Sequence, residues 1–163
     1  MRPVTRGTVA AIVAFFLAAP ALWSQATLQD TALAEATAEA LEPGIRAALK
    51  DGQPVSFEHR STWGETVKSH LEESLGLGFT DEHRKGASRI LLGTPMMNED
   101  TAVVEVWFGR CEAADDAEIL KIRIYSFTFK REGQEWGLVG AARLGTNEGS
   151  CDGDMREQQP VQT

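Results

Sequence analysis

Histidine, cysteine and positive charge are all scarce in this chain of 163 residues, and each shortage excludes a class of function. The three histidines are His59, His70 and His83, spaced 11 and 13 residues apart. That spacing matches no zinc motif, and the i, i+4 pair of a helical zinc protease is missing. They read as surface or half-buried side chains. Lys and Arg number 16 against 24 Asp and Glu, for a net charge of −8. Nucleic acid demands a basic face and is excluded as a partner; a polybasic membrane-surface binder is excluded by the same shortage. Glycine-rich phosphate loops, dinucleotide fingerprints and serine nucleophile elbows are missing too. Asp152-Gly153-Asp154 lacks the third carboxylate, following glycine and closing Glu of a calcium loop. No catalytic residue, metal ligand or cofactor site is therefore expected.

Long apolar runs are missing apart from one. Val9–Trp23 is uncharged and mostly apolar over 15 residues, preceded by Arg2 and Arg6. Small residues follow at cleavage spacing, as Ser24-Gln25-Ala26 or Ala19-Pro20-Ala21. This is the pattern of a secretory signal over residues 1–26, and it is short for a span of about 20 residues. The expectation is a periplasmic or secreted chain with no stable membrane span after cleavage. The remaining 137 residues keep all 24 acidic groups and 14 of the basic ones, a net charge of −10. That acidity serves solubility, and it also permits a basic partner or a cationic ligand.

What is present is β structure. Thr101–Leu144 reads as a meander of three long antiparallel strands. The first, Thr101–Cys111, alternates Val104, Val106 and Phe108 with Val103, Glu105 and Trp107. The second, Ile119–Arg131, opens with Leu120, Ile122 and Ile124 on one face. After Tyr125 its phase inverts, and Phe127 and Phe129 become the apolar set. Either a β-bulge near Tyr125–Ser126 restores the face, or the sheet is covered on opposite faces at its two ends. The bulge is the preferred reading, because strands this long usually bend to wrap a core. Glu132-Gly133 turns into the third strand, Glu135–Leu144. Its Gly137, Gly140, Ala141 and Ala142 leave room for a helix to pack.

Apolar matching sets the expected register. Cys111 faces Ile119 across the acidic loop Glu112–Glu118, placing Val106 on Ile124, Phe108 on Ile122 and Trp107 on Arg123. Phe129 faces Trp136 and Phe127 faces Leu138. Glu105, Trp107, Arg123 and Tyr125 then form a candidate binding cluster on one face, where a carboxylate near a phenol can do acid–base work. The same topology brings Cys151 to the sheet edge that holds Cys111. One disulfide is expected, worth about 3–4 kcal/mol in the chain-entropy model.

Before the meander, Thr27–Lys50 reads as helix, with Leu33, Thr37, Leu41 and Ile45 in one stripe and a kink or restart at Pro43. Val55–His59 is a short strand. Thr62 and Glu65 form a capping box for a helix carrying Trp63, Val67, Leu71 and Leu75, stopped by Gly76. A short helix at Thr80–Lys85, a strand at Ser88–Thr94 and a turn at Met96–Asp100 complete the chain. A single α+β domain is expected over residues 27–147: N-terminal helices packed on a curved antiparallel sheet ending in a three-stranded meander. Residues 148–163 form a polar tail, tethered at Cys151 and loose beyond it.

The strands VVEVWFGRC and LKIRIYSFTFKREGQEWGLVGAARL, with the helix before them, resemble the NTF2-like (cystatin-like) superfamily. The resemblance implies an α+β fold of N-terminal helices and long, bent antiparallel strands with a concave sheet face. Its members include isomerases, dehydratases, transport adaptors and exported domains, so it selects no activity. Three functions are compatible with the residues. One is a non-enzymatic exported domain binding a protein or small ligand on the concave face. The others are a small acid–base enzyme and an acidic inhibitor or immunity-type protein.

Overall fold

The computed structural model describes residues 30–50, 52, 54–80, 87–115, 117–153 and 155. The leader over residues 1–26 and the short helix expected from Thr80 to Lys85 lie outside them, apart from Thr80 itself. No helix among the described residues is long and apolar enough to cross a membrane.

Two helices and six strands follow in the order α1 (Thr31–Lys50), β1 (Val55–His59), α2 (Thr62–Leu75), β2 (Ser88–Leu92), β3 (Met96–Asn98), β4 (Thr101–Ala114), β5 (Ala117–Glu132) and β6 (Glu135–Ser150). The strands form one sheet in the order β1-β2-β4-β5-β6, with β3 also paired to β4. The α+β class with helices against a sheet is as expected, but the sheet is mixed: β1 and β2 run parallel, and every other pair is antiparallel. The segment read as a turn, Met96–Asp100, instead contributes β3 before turning at Glu99-Asp100.

Helix α1 starts at Asp30, whose Oδ1 accepts from the Leu33 amide at 3.0 Å, as an N-cap carboxylate does. It is one helix with Pro43 inside. Its stripe of Leu33, Thr37, Leu41 and Ile45 is fully buried. The cap of α2 is Ser61 and not Thr62: the Ser61 side chain accepts from the Gly64 amide, and the Glu65 carboxylate turns instead to His59. Gly76 ends α2 in the left-handed region at φ 66°, where glycine has no Cβ penalty. Trp63, Val67 and Leu71 bury the inner face of α2 against α1 and β1.

The meander is longer than its apolar pattern indicates. β4 and β5 pair without interruption from Thr101 opposite Lys130 to Ala114 opposite Ala117. The acidic stretch Glu112–Glu118 is thus mostly hairpin arm. The register is one residue from the expected one: Trp107 faces Ile124, Phe108 faces Arg123, and Cys111 faces Leu120. The second hairpin turns at Gly133-Gln134, with Gly133 at φ 67°, and sets Arg131 opposite Trp136 and Phe129 opposite Leu138. Arg131 sits 5.5 Å over the Trp136 ring, so the cation–π pair falls here and not at Trp107.

The phase inversion of β5 has the second of its two explanations. Ala102, Val104, Val106 and Phe129 face the helices in one core with α1, α2, β1 and part of β2. Leu120, Ile122 and Ile124 face the other side, where Leu91 and Met155 cover them. No bulge breaks the β4–β5 ladder. The irregularities lie in β6, whose pairing with β5 shifts between Ile124 and Tyr125 and between Thr128 and Phe129. Leu144 and Val139 are the extra residues at those points, and both are exposed. No helix among the described residues covers Gly137, Gly140, Ala141 and Ala142, which are exposed on the outer strand.

The second core needs the chain beyond β6. Cys111 is bonded to Cys151, with Cα atoms 5.8 Å apart. The predicted tail does not start at residue 148: β6 continues to Ser150, and Met155 is fully buried. Arg89 closes this layer. It is 2% exposed, donates to Glu58 Oε1 at 2.7 Å and 3.2 Å, and donates to the Gly153 carbonyl at 2.6 Å.

Candidate functional site

The strand register decides which polar side chains meet. Along β5, Lys121, Arg123 and Tyr125 alternate with Ile122 and Ile124, so they share the helix-facing side. Across the ladder they sit opposite Arg110, Phe108 and Val106. On the other flank they sit opposite Glu148, Thr146 and Arg143 of β6. Helix α1 passes over this face, bringing Ile45 and Ala48 beside Phe108. Beyond α1 no helix among the described residues covers Arg123 or Arg143, which are exposed.

The result is a groove made of two adjoining hollows. One, of about 270 Å³, lies between α1 and the sheet and is floored by Ile45, Ile90 and Phe108, with Arg110, Lys121 and Arg123 at its rim. The second, of about 520 Å³, lies over β5 and β6 between Lys121, Arg123, Arg143, Thr146 and Glu148. Lys121 and Arg123 border both. Aromatic surface continues the floor. Phe108 and Tyr125 meet edge to face at 5.7 Å, and Tyr125 and Phe127 lie 6.5 Å apart. All three are half-buried, which leaves part of each ring available.

Charge is unevenly balanced here. Lys121 is 3.1 Å from Glu112, and Glu148 stands opposite it in the ladder. Arg123 and Arg143 are exposed and have no ion pair among the described residues. Their positions are diagonal across β5 and β6, with Tyr125 directly opposite Arg143. Diagonal neighbours on a sheet face are within reach of long side chains.

The cluster expected from the sequence does not assemble. Arg123 and Tyr125 lie on the helix-facing side. Glu105, opposite Ser126, and Trp107, opposite Ile124, lie on the other. Trp107 packs on the second core with Leu91 and the Cys111–Cys151 pair. A one-residue register shift is the cause, because it sends each side chain to the opposite face. The carboxylate–phenol neighbourhood goes with it. Arg110, Lys121 and Arg143 were missed as site residues. The alternation Lys121-Ile122-Arg123-Ile124-Tyr125 carries the signal for the β5 members. Arg143 needs the bulge at Leu144, which leaves no trace in periodicity.

Among the described residues no three His, Cys, Asp or Glu side chains are grouped to hold an ion, and His83 lies outside them. His59 Nε2 is 2.7 Å from Glu65 Oε2 at the start of α2, while its Nδ1 is buried without a partner. Neither residue of this pair lines either hollow. No family model matches the chain, no curated protein matches its sequence, and no solved structure matches its fold.

Proposed function

We propose that this chain is an exported, non-enzymatic binding domain of the NTF2-like kind, holding a small ligand in the groove between α1 and the β4–β5–β6 face. One observation carries the reading. Three half-buried aromatic rings and two hollows of about 270 and 520 Å³ lie side by side on a face that the helices only partly cover. Concave sites with an apolar floor and a few convergent polar groups are the usual form of a ligand pocket. The polar groups here are mainly Arg and Lys donors, which orient a ligand by hydrogen bonding, and this supports binding.

Export is supported by the leader pattern and by the Cys111–Cys151 bond, since disulfides persist in oxidising compartments. Intact mass of periplasmic or secreted material is expected to begin near Thr27 or Leu22. Full-length chain confined to the cytosol refutes export.

A neutral apolar dye tests the groove. Nile red fluorescence is expected to rise with the folded chain and to fall back in Ala48→Gln, whose side chain fills the hollow beside Phe108. A dye response unchanged in Ala48→Gln and Tyr125→Ser refutes the site.

A further inference from the structure

The geometry points to an amphipathic oxyanion as the ligand: an apolar body carrying a carboxylate or phosphate head, the head held by Arg123 and Arg143 beside Tyr125. This rests on the groove being a ligand site, and it specifies what the site selects.

Three observations converge on it. First, the cations are concentrated where the rest of the chain is acidic. The whole sequence has 16 Lys and Arg against 24 Asp and Glu. Yet Lys121, Arg123 and Arg143 fall on neighbouring positions of one sheet face and border one hollow. Like charges on neighbouring positions of a sheet face repel, and Arg123 and Arg143 are diagonal neighbours in the β5–β6 ladder. An anion in the groove removes that repulsion. Second, Arg123 and Arg143 have no ion pair among the described residues, so their guanidinium forks are available. Guanidinium donors match carboxylate and phosphate geometry in pairs. The Tyr125 hydroxyl and the Thr146 hydroxyl, at neighbouring ladder positions, can complete the donor set. Third, the neighbouring surface is apolar: Phe108, Phe127, Ala141 and Ala48 border the cationic positions on the same face. A bare inorganic anion leaves those rings in water, whereas an acyl or aryl body covers them.

The external field works against this selectivity. The acidic surface repels anions at a distance but is screened beyond about 8 Å at physiological salt. Capture therefore depends on local chemistry and on apolar burial. A cationic amphiphile is favoured by the distant field and rejected by the groove, which makes it the informative opposite probe.

Tyr125 is the only tyrosine, so 3-fluorotyrosine labelling of the disulfide-bonded chain yields one fluorine reporter directly opposite Arg143 and against Phe108. Octanoate, octyl phosphate, 1-octanol and octylammonium are titrated against it. Octanoate and octyl phosphate are expected to shift the resonance saturably, octanol to shift it weakly, and octylammonium to leave it in place. The ratio of the two anions separates a carboxylate head from a phosphate head. Arg123→Gln and Arg143→Gln are each expected to weaken the anions about tenfold or more, with an unchanged denaturation midpoint because both side chains are exposed. If octanoate, octanol and octylammonium bind alike, or if both variants keep full affinity, the anion inference is overturned while the groove remains a ligand site. If no probe moves the resonance, both the inference and the ligand site are overturned.

Discussion

Arg89 donates from Nη1 to the carbonyl oxygen of Gly153 at 2.6 Å, across a sequence separation of 64 residues. The same guanidinium holds Glu58 of β1 and approaches the Cys151 carbonyl at 3.4 Å. One buried cation thus joins a strand near the N-terminal end of the domain to the segment after the last strand. That segment carries Met155 over Leu120 and Ile122. It allows a sheet with helices on one face only to bury its other face at one end.

Breaking this junction should be costly. Arg89→Met leaves Glu58 without its guanidinium and two carbonyls without a donor, and losses of about 3–5 kcal/mol are typical when one partner of a buried ion pair is removed. The expected result is a lower urea midpoint and faster amide exchange across Ser150–Gly153. An unchanged midpoint contradicts the closing role.

The disulfide acts on the same segment. Its loop spans a sequence separation of 40, which corresponds to about 3–4 kcal/mol in the chain-entropy model. Cys111→Ser with Cys151→Ser should lower stability by roughly that amount. Non-reducing peptide mapping should recover Cys111 joined to Cys151, and alkylation of both without prior reduction refutes the bond.

Burial separates the phenylalanines of β5. Phe129 is 0% exposed and Phe127 is half-buried. Phe129→Ala should cost about 3–5 kcal/mol and Phe127→Ala roughly 1–3 kcal/mol. Leu138→Ser, on the exposed stretch of β6, should stay within about 0.5 kcal/mol. Chemical denaturation of the three variants checks the order. Equal losses at Phe127 and Phe129 contradict it.

Gly64 is dictated by space. A Cβ there would come within 2.4 Å of the His59 Cβ. Gly64→Ala should destabilise by about 1–3 kcal/mol through overpacking and disturb the His59–Glu65 pair. Gly137→Ala is the control, since nothing lies within 4 Å of its added Cβ. Similar midpoints for the two variants refute the close approach.

Glu42 provides a pH signature. The hydrogen bond from Arg46 at 2.6 Å, and then that from Ser74 at 3.1 Å, hold its carboxyl below the usual glutamate value. A lowered folded-state pKa means that its stabilisation is present above the unfolded-state value. It is lost as pH falls through the folded-state value. Glu42→Gln should therefore narrow the stability gap between neutral and acidic pH, and carbon-detected NMR titration should place the carboxyl below that of an exposed glutamate. A titration at or above the ordinary value refutes the linkage between α1 and α2 through this side chain.

The sequence by itself determined the elements of this protein. Leu33, Thr37, Leu41 and Ile45 can share a core only as a helical stripe. The alternation in Thr101–Cys111 and Ile119–Arg131 can bury one face only as strand, because side-chain direction is local geometry. The cysteine pairing was legible for the same reason: antiparallel hairpins return the chain to a known edge. Register and coverage were decided by tertiary structure alone. Shifting β4 on β5 by one residue matches apolar residues about as well locally, and the choice depends on what lies above each face. Met155, an apolar residue with charged neighbours on both sides, makes it favourable to bury Leu120, Ile122 and Ile124 away from the helices. With that face covered, Phe127 and Phe129 can face α1 without a bulge in β5. Glu105 and Trp107 are then separated from Arg123 and Tyr125, and Arg123 is left beside Arg143. No local pattern encodes that juxtaposition, because it depends on residues more than 30 positions away packing on the opposite side of the sheet.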